Sequence, residues 1–163
     1  MKSLDPSLLR TLSEEAAGAP RLRKNYNLHA SVADPIQRML NAFEPRTYVR
    51  PHRHPGKWEL FVMVSGCAAV LTFDDDGQVT QRVDLDEDTG ARVVEIPEGA
   101  WHTVVSFAPQ TVMFEVKAGP YAPTASNDFA PWAPAEGEMT AAAFEQWFQS
   151  AAPGDALPEA LRR

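Results

Sequence analysis

Residues 51–66 read PHRHPGKWELFVMVSG and place two of the chain's four histidines, His52 and His54, one residue apart. In an extended strand, alternate side chains point to the same face, so both imidazoles are expected to face one enclosed space. Glu59 follows on the same stretch, and IPEGAWH (residues 96–102) adds His102 after a proline–glycine turn. Three imidazoles and a carboxylate that converge from different strands are typical ligands of a divalent metal.

This set of donors favours a working metal site over a closed structural zinc site, which more often uses cysteine. Four protein ligands leave one or two coordination positions for water, oxygen or a substrate. The alternative is a hydrogen-bonded polar cluster inside a β-sheet protein without a metal. The joint spacing of the four residues favours the metal site.

The segments around these residues predict strands. They are short, rich in β-branched and aromatic residues, and separated by turn residues; DDDG (residues 74–77) is a hairpin signal. The predicted strands are PIQRMLNAF, TYVRPHRH, WELFVMVSG, CAAVLTF, VTQRVDL, ARVVEI, HTVVSF and TVMFEVK. Because no helical pattern interrupts them, we expect an antiparallel sandwich or barrel.

Helical patterns are confined to the two ends, so the chain is predicted to be all-β with short N- and C-terminal helices. Asp5 can cap the first helix, and Pro6 suits its first position. A single domain over residues 1–163 is expected. Its predicted parts are an N-terminal helix (1–20), a β-barrel core (25–117), a Pro/Ala-rich arm on the barrel (118–139) and a C-terminal helix (140–150).

Composition excludes several classes of function. The net charge of −7 disfavours nucleic acid as a partner, because phosphates need a basic surface. No apolar run is long enough to span a bilayer, and no membrane partner is expected. One cysteine, Cys67, excludes an internal disulfide and is compatible with the cytoplasm, the predicted location. Exposed edge strands predict a homodimer.

The histidine pattern resembles the two motifs of the cupin superfamily. His52, His54, Glu59 and Gly66 match the first motif, and Pro97, Gly99 and His102 match the second. The resemblance implies a cupin-type (jelly-roll) antiparallel β-barrel with a metal bound by the motif residues. One departure is Arg46, which stands where the first motif usually has a glycine.

A second resemblance covers most of the chain. NYNLH, DPIQRM, TYVRPHRH, ELFVMVSG, VVEIPEGAWHT, VMFEVKAGPY and DFAPWAP are similar to the WbuC family of small cupin-fold metalloproteins. Members of that family are linked to bacterial surface-polysaccharide (O-antigen) gene clusters. The resemblance implies one divalent metal ion, and the imidazole–carboxylate set accepts Fe, Mn, Zn or Ni.

Two further side chains are candidate substrate contacts near the predicted metal. Arg50 shares the alternation of His52 and His54 and is expected to face inward, where it binds a substrate anion or pairs with Glu115. Tyr48 is either a proton donor or part of the wall of the site.

Two more candidates lie further along the chain. His29 either reaches over the barrel mouth or belongs to a hydrogen-bonded edge strand, which is favoured. Glu115 is a candidate acid–base group if its face is inside. The alternation with Phe114 and Val116 slightly favours Glu115 and Lys117 as surface charges.

Three functions remain open for a metal-binding cupin that takes a small-molecule ligand. The first is Lewis-acid isomerisation or epimerisation of a sugar or nucleotide-sugar of surface-polysaccharide biosynthesis. The second is Fe(II)-dependent dioxygenation. The third is a module that binds a metal and a small ligand without turnover. An enzyme needs an acid–base residue within reach of the substrate, which separates the first two functions from the third.

Overall fold

The computed structural model describes residues 1–162, so the predicted domain span of 1–163 includes one residue, Arg163, outside the described chain. Eight strands lie between two helices. The helices are α1 (Pro6–Ala17) and α2 (Ala141–Ser150). The strands are β1 (Arg23–Asn27), β2 (Ile36–Phe43), β3 (Glu59–Ser65), β4 (Cys67–Phe73), β5 (Val79–Asp86), β6 (Val93–Ile96), β7 (Trp101–Ser106) and β8 (Thr111–Ala118). Short 3₁₀ helices cover Ser126–Asp128 and Glu159–Leu161.

The strands form two antiparallel sheets that face each other as a jelly roll. The five-stranded sheet has the order β1-β2-β8-β3-β6, and the three-stranded sheet has the order β5-β4-β7. The prediction of an all-β fold with two terminal helices is confirmed, although the two sheets do not close into one continuous barrel. Apolar side chains fill one end of the space between the sheets: Phe43, Phe61, Met63, Ala68, Val70, Leu85, Ile96, Val104 and Met113.

Helix α1 covers the outer face of the five-stranded sheet. The Asp5 carboxylate accepts hydrogen bonds from the backbone N–H groups of Ser7 and Leu8 and so caps the helix N-terminus. Leu12 and Ala16 pack against the outward-facing side chains of β2 and β8. In the part of the chain that the structure describes, no helix has the length and apolar character needed to cross a bilayer.

Helix α2 and the arm cover the outer face of the three-stranded sheet. Phe144 and Phe148 of α2 are fully buried against that face, together with Ala130 and Ala133 of the arm. Both sheets are therefore covered on their outer faces as well as their inner faces. Because both faces of each sheet are covered, the alternation of side chains along a strand does not by itself show which of them face the interior.

The expected strand TYVRPHRH is wrong as regular secondary structure. Residues 47–58 contain no regular strand: His52 makes isolated bridges with His102 and Phe129, and residues 55–56 form a turn. Pro51 has no N–H to donate to a strand ladder, and the segment crosses the opening between the two sheets rather than joining either of them. The two histidines still alternate along an extended backbone.

Two motif positions adopt the left-handed backbone conformation: residue 46, which precedes this segment, and residue 66, which follows β3. Gly66 has φ +79, and a Cβ added there would lie 2.8 Å from the Thr111 Cα, so only glycine fits. Arg46 has φ +71, which is the left-handed conformation that the motif's usual glycine adopts without strain. The backbone therefore keeps the motif turn at residue 46 although the residue type differs.

Replacement of Gly66 by alanine should destabilise the protein strongly. A left-handed non-glycine residue costs about 1–2 kcal/mol, and the overlap with the Thr111 backbone adds roughly 1–3 kcal/mol. Chemical denaturation of Gly66→Ala measures the sum. Gly56→Ala is the matched control, since Gly56 has φ +69 and no atom lies within 4 Å of the added Cβ. Equal losses of stability in the two variants would contradict the steric role of Thr111.

Candidate metal centre

The structure brings His52, His54, Glu59 and His102 together at the open end of the jelly roll. His52 and His54 come from the segment between β2 and β3, Glu59 begins β3, and His102 lies in β7 of the opposite sheet. One donor atom from each residue lies within 4.8 Å of the others. Ligand residues of the two motifs thus form one cluster, although the nearest of them along the chain, Glu59 and His102, are 43 residues apart.

Backbone carbonyls orient two of the three imidazoles. His52 and His102 form an antiparallel bridge through two N–H···O bonds of 3.1 and 2.9 Å. Nδ1 of His52 lies 2.9 Å from the Arg50 carbonyl, and Nδ1 of His102 lies 2.9 Å from the Ala100 carbonyl. For His52, a donated Nδ1–H leaves Nε2 as a lone pair for a metal. Nε2 of His102 lies within hydrogen-bond distance of Glu59 Oε2, and a metal would replace that hydrogen bond.

The arrangement of acceptors fits a cation at the centre of the cluster. His102 Nε2 lies 3.1 Å from Glu59 Oε2, and His54 Nε2 lies 3.6 Å from Glu59 Oε1. His54 Nε2 is buried and has no hydrogen-bond partner among the described residues. Lone pairs that face a carboxylate repel it unless a proton or a metal ion lies between them. Imidazole nitrogens with one carboxylate are the donor set of a divalent transition metal.

Burial keeps the imidazoles in the form that binds a metal. It lowers the pKa of His52 to about 3 and the pKa of His54 to about 4, so both rings are neutral near neutral pH. Burial raises the pKa of Glu59, but the hydrogen bond with His102 and the charge of Lys117 outweigh it and hold that pKa well below its usual value. Neutral imidazoles and an ionised carboxylate are the states that ligation needs.

Glu115 and Lys117 face inward, and their prediction as surface charges is wrong. In the antiparallel register, Lys117 lies opposite Glu59 and Glu115 lies opposite Phe61, on the inner face of the sheet. Lys117 Nζ lies 3.1 Å from Glu59 Oε1 and 2.6 Å from Glu115 Oε1. Their apolar neighbours on β8 face outward because α1 covers that side.

Glu115 and Lys117 differ in protonation from ordinary exposed side chains. Burial and the neighbouring Glu59 carboxylate raise the pKa of Glu115 to about 8, so Glu115 holds a proton at neutral pH. Burial lowers the pKa of Lys117, but the carboxyl groups of Glu115 and Glu59 have the larger, opposite effect. The pKa of Lys117 is therefore above its usual value, and Lys117 stays charged. Glu59 is therefore held by a cation from its own sheet and by imidazoles from outside it.

The Pro/Ala-rich arm holds the histidine segment in place, a role that the sequence reasoning missed. The backbone N–H of Ala130 donates to the Pro51 carbonyl at 2.9 Å. The side chain of Arg53 pairs with Asp128 at 3.2 Å, and the Phe129 ring lies 6.3 Å from the His52 ring. The aromatic residues of the arm predicted that it lies on the barrel, but no pattern indicated that its backbone pairs with residues 51–53.

The Arg50 side chain contacts the Pro/Ala-rich arm. Its guanidinium lies 5.0 Å from the centre of the Phe129 ring and donates to the Ala130 carbonyl. The expected ion pair with Glu115 is absent from residues 1–162. Contact of Arg50 with a substrate anion stays a prediction.

Tyr48 and His29 occupy different surroundings. The Tyr48 hydroxyl donates to the Pro134 carbonyl at 2.9 Å, and its ring stacks on Phe148. Tyr48 thus packs against the arm and α2, outside the cluster. His29 follows the edge strand β1 and accepts a hydrogen bond from the Arg38 N–H. It is only 6% exposed and lines an inner cavity with Glu115.

The stability of the metal-free protein should fall as the pH drops from about 7 to about 5. The unfolded chain takes up protons on His52 and His54 below their usual pKa of about 6.5. In the folded protein His52 takes up a proton only near pH 3, and His54 only near pH 4. The unfolded state then binds more protons, and each histidine should cost roughly 2 kcal/mol over this range.

Denaturation of chelator-treated protein at several pH values measures this loss. The double variant His52→Asn/His54→Asn should show a much flatter dependence, since asparagine does not titrate. A wild type and a double variant with the same pH dependence would show that the two imidazoles are not protected from protonation.

Several solved structures are similar to this chain at low sequence identity. The structure of TT1209 from Thermus thermophilus is 19% identical, with coverage of 72% of this chain and 97% of that chain and a TM-score of 0.50. The structure of KdgF from Halomonas sp. is 15% identical, with coverage of 64% and 84% and a TM-score of 0.48. A cupin superfamily protein from Desulfitobacterium hafniense is 20% identical, with coverage of 59% and 76% and a TM-score of 0.47.

No curated protein matches the sequence significantly. The model of one protein family, described as "Domain of unknown function (DUF6016)", matches residues 4–85, which is half of the chain. The matched span includes the first histidine motif and ends within β5. The fold is a cupin-type jelly roll with a cluster of three histidines and a glutamate at its open end, and the chain belongs to the DUF6016 family.

Proposed function

We propose that the protein is a metal-dependent cupin enzyme that acts on a small sugar, by isomerisation or epimerisation. The observation that carries the proposal is the convergence of His52, His54, Glu59 and His102, whose donor atoms lie within 4.8 Å of one another. Held by these residues, a redox-inert divalent metal would supply a Lewis acid for a carbonyl or hydroxyl oxygen, and Fe(II) would supply dioxygen chemistry.

The surroundings of the cluster favour an enzyme over a module that only binds a ligand. An enzyme needs a group that can move a proton near the bound substrate. Glu115 lies inside the sheet, contacts Lys117 at 2.6 Å and lines the same cavity as His29. Lys117 in turn contacts Glu59, so a carboxyl outside the ligand set lies one side chain away from the cluster.

The sugar as substrate class is supported by the resemblance of the sequence to the WbuC family. We propose membership of a WbuC-like group and a role in surface-polysaccharide (O-antigen) biosynthesis on that resemblance. The polar interior beside the cluster is compatible with a hydroxylated substrate. Cupin folds host many chemistries, so the proposal depends on the site and the sequence stretches and not on the fold.

Metal analysis by mass spectrometry of tag-free protein tests the proposal. We expect close to one divalent metal per wild-type chain, and a loss of about tenfold or more in affinity for His54→Ala and for His102→Ala. His29→Ala is the matched control, since His29 is a buried histidine outside the cluster and should leave the metal content unchanged.

The identity of the metal separates the two chemistries. Zinc, nickel or manganese favours the isomerase or epimerase, and iron favours the dioxygenase. Glu59→Gln should weaken binding less than the loss of a histidine, because three imidazoles still remain. A folded wild type that contains no metal and takes up none when it is added would overturn the proposal.

We also propose that the protein forms a homodimer through an exposed sheet edge. β1 and β6 are the edges of the five-stranded sheet, and they expose Tyr26 at 41% and Val93 at 52%. Unpaired edges with exposed apolar side chains favour association with a second chain. Sedimentation velocity should give twice the mass of one chain, and a single species of one-chain mass would contradict the dimer.

A further inference from the structure

The inner face of the five-stranded sheet is polar at the end formed by β1, β2 and β8. On these strands Leu40, Ala42 and Val112 face outward and pack under α1, whereas Met39 and Phe43 face inward and line the same space as the polar side chains. The inward-facing side chains at this end include Asn25, Asn27, Gln37, Asn41, Glu115 and Lys117. Asn25, Gln37 and Asn41 each donate a hydrogen bond within the protein, and Asn25 and Asn27 are exposed to solvent. A polar, partly solvated lining of this kind suits a hydroxylated ligand.

These side chains line a cavity of about 380 Å³. Asn27 and Tyr121, which line the cavity, are exposed to solvent. Ligand cavities in proteins span roughly 300–1,000 Å³, so this one is at the small end of that range. It suits a single sugar ring better than a nucleotide-sugar.

The floor of the cavity offers hydrogen-bond partners for hydroxyl groups. Asn41 Nδ2 donates to Glu115 Oε2 at 2.6 Å, and Asn25 Nδ2 donates to Asn27 Oδ1 at 2.8 Å. His29 Nδ1 lies 2.9 Å from the Arg38 carbonyl oxygen and 3.0 Å from the Arg38 backbone nitrogen. Amides that donate and accept at adjacent positions, together with an imidazole, match the paired donors and acceptors of a polyol.

The rim of the cavity is positively charged although the whole chain carries a net charge of −7. The charged residues that line the cavity are Arg21, Arg23, Lys24, Lys117 and Glu115. Lys24 pairs with Glu15, and Lys117 pairs with Glu59 and Glu115, so the charge available to a ligand is that of the two arginines. Arg21 and Arg23 share a single carboxylate, Glu136, which lies outside the lining. Two guanidinium groups against one carboxylate leave positive charge for a ligand anion.

We propose that this cavity binds a monosaccharide-sized polyol that carries one carboxylate or phosphate group. The hydroxyls contact the amide floor around Asn41, and the anionic group contacts the rim at Arg21. The inference deepens the proposed function and rests on it for the link to the metal cluster. That link is Lys117, which lines the cavity and lies 3.1 Å from Glu59 Oε1.

Isothermal titration calorimetry on the metal-loaded protein tests the cavity with four probes. They are glucuronate, glucose 1-phosphate, glucose and inorganic phosphate. We expect saturable binding of glucuronate or glucose 1-phosphate, with glucose and inorganic phosphate at least about tenfold weaker. Preference for one of the two sugar anions identifies the acidic group. Absence of binding by both at about 10 mM, or equal binding of glucose, overturns the inference.

Two cavity variants test where the probe binds. Asn41→Leu should weaken the preferred sugar anion by about tenfold or more, and Arg21→Gln should lower its affinity toward that of glucose. Arg10→Gln is the matched control, because it removes one exposed arginine from α1 on the outer face. If Asn41→Leu fails to fold, Asn27→Ala makes the same test at an exposed position of the cavity lining. Wild-type affinity in both cavity variants overturns the inference.

Metal content measured on the same samples separates this inference from the proposed function. Metal-loaded wild type that binds neither sugar anion overturns the cavity inference and leaves the metal proposal intact. Wild type that takes up no metal but binds a sugar anion, with loss in Arg21→Gln and not in Arg10→Gln, supports the cavity inference and overturns the metal proposal.

Discussion

The buried, ionised carboxylate of Glu59 is the constraint on which the rest of the site depends. It is only 3% exposed, and a lone carboxylate at such a position would cost several kcal/mol. Lys117 on the adjacent strand and His102 on the opposite sheet each lie 3.1 Å from one of its oxygens. The two sheets must therefore both be in place before the buried charge is compensated, which couples the site to the whole fold.

The interior is divided between packing and chemistry. Apolar side chains fill one end of the space between the sheets, and the metal cluster and the polar cavity occupy the other. The outer faces of both sheets add two further apolar layers, under α1 and under α2 with the arm. Because these outer layers bury apolar area of their own, the structure does not depend on the interior alone for stability, and part of the interior can remain polar.

The metal cluster and the cavity share one connecting side chain, Lys117. Its ammonium group contacts Glu59 on one side and Glu115 on the other, so a ligand in the cavity would alter the surroundings of Glu59 directly. The arm acts on the same site from outside, since it pairs with the backbone of residues 51–53. The fold thus reaches the cluster from the sheet, from the crossing segment and from the arm.

The sequence by itself determined the strand-rich fold, the terminal helices and the four residues of the cluster, because motif spacing and strand alternation are local properties. Alternation also showed that Glu115 and Lys117 share one face of β8 and that Phe114 shares the other. It could not show which face is inside, because both faces of this sheet are covered, and only the position of α1 decided that. Likewise, the pairing of the arm with residues 51–53 joins segments far apart in the chain, and only the tertiary structure brought them together.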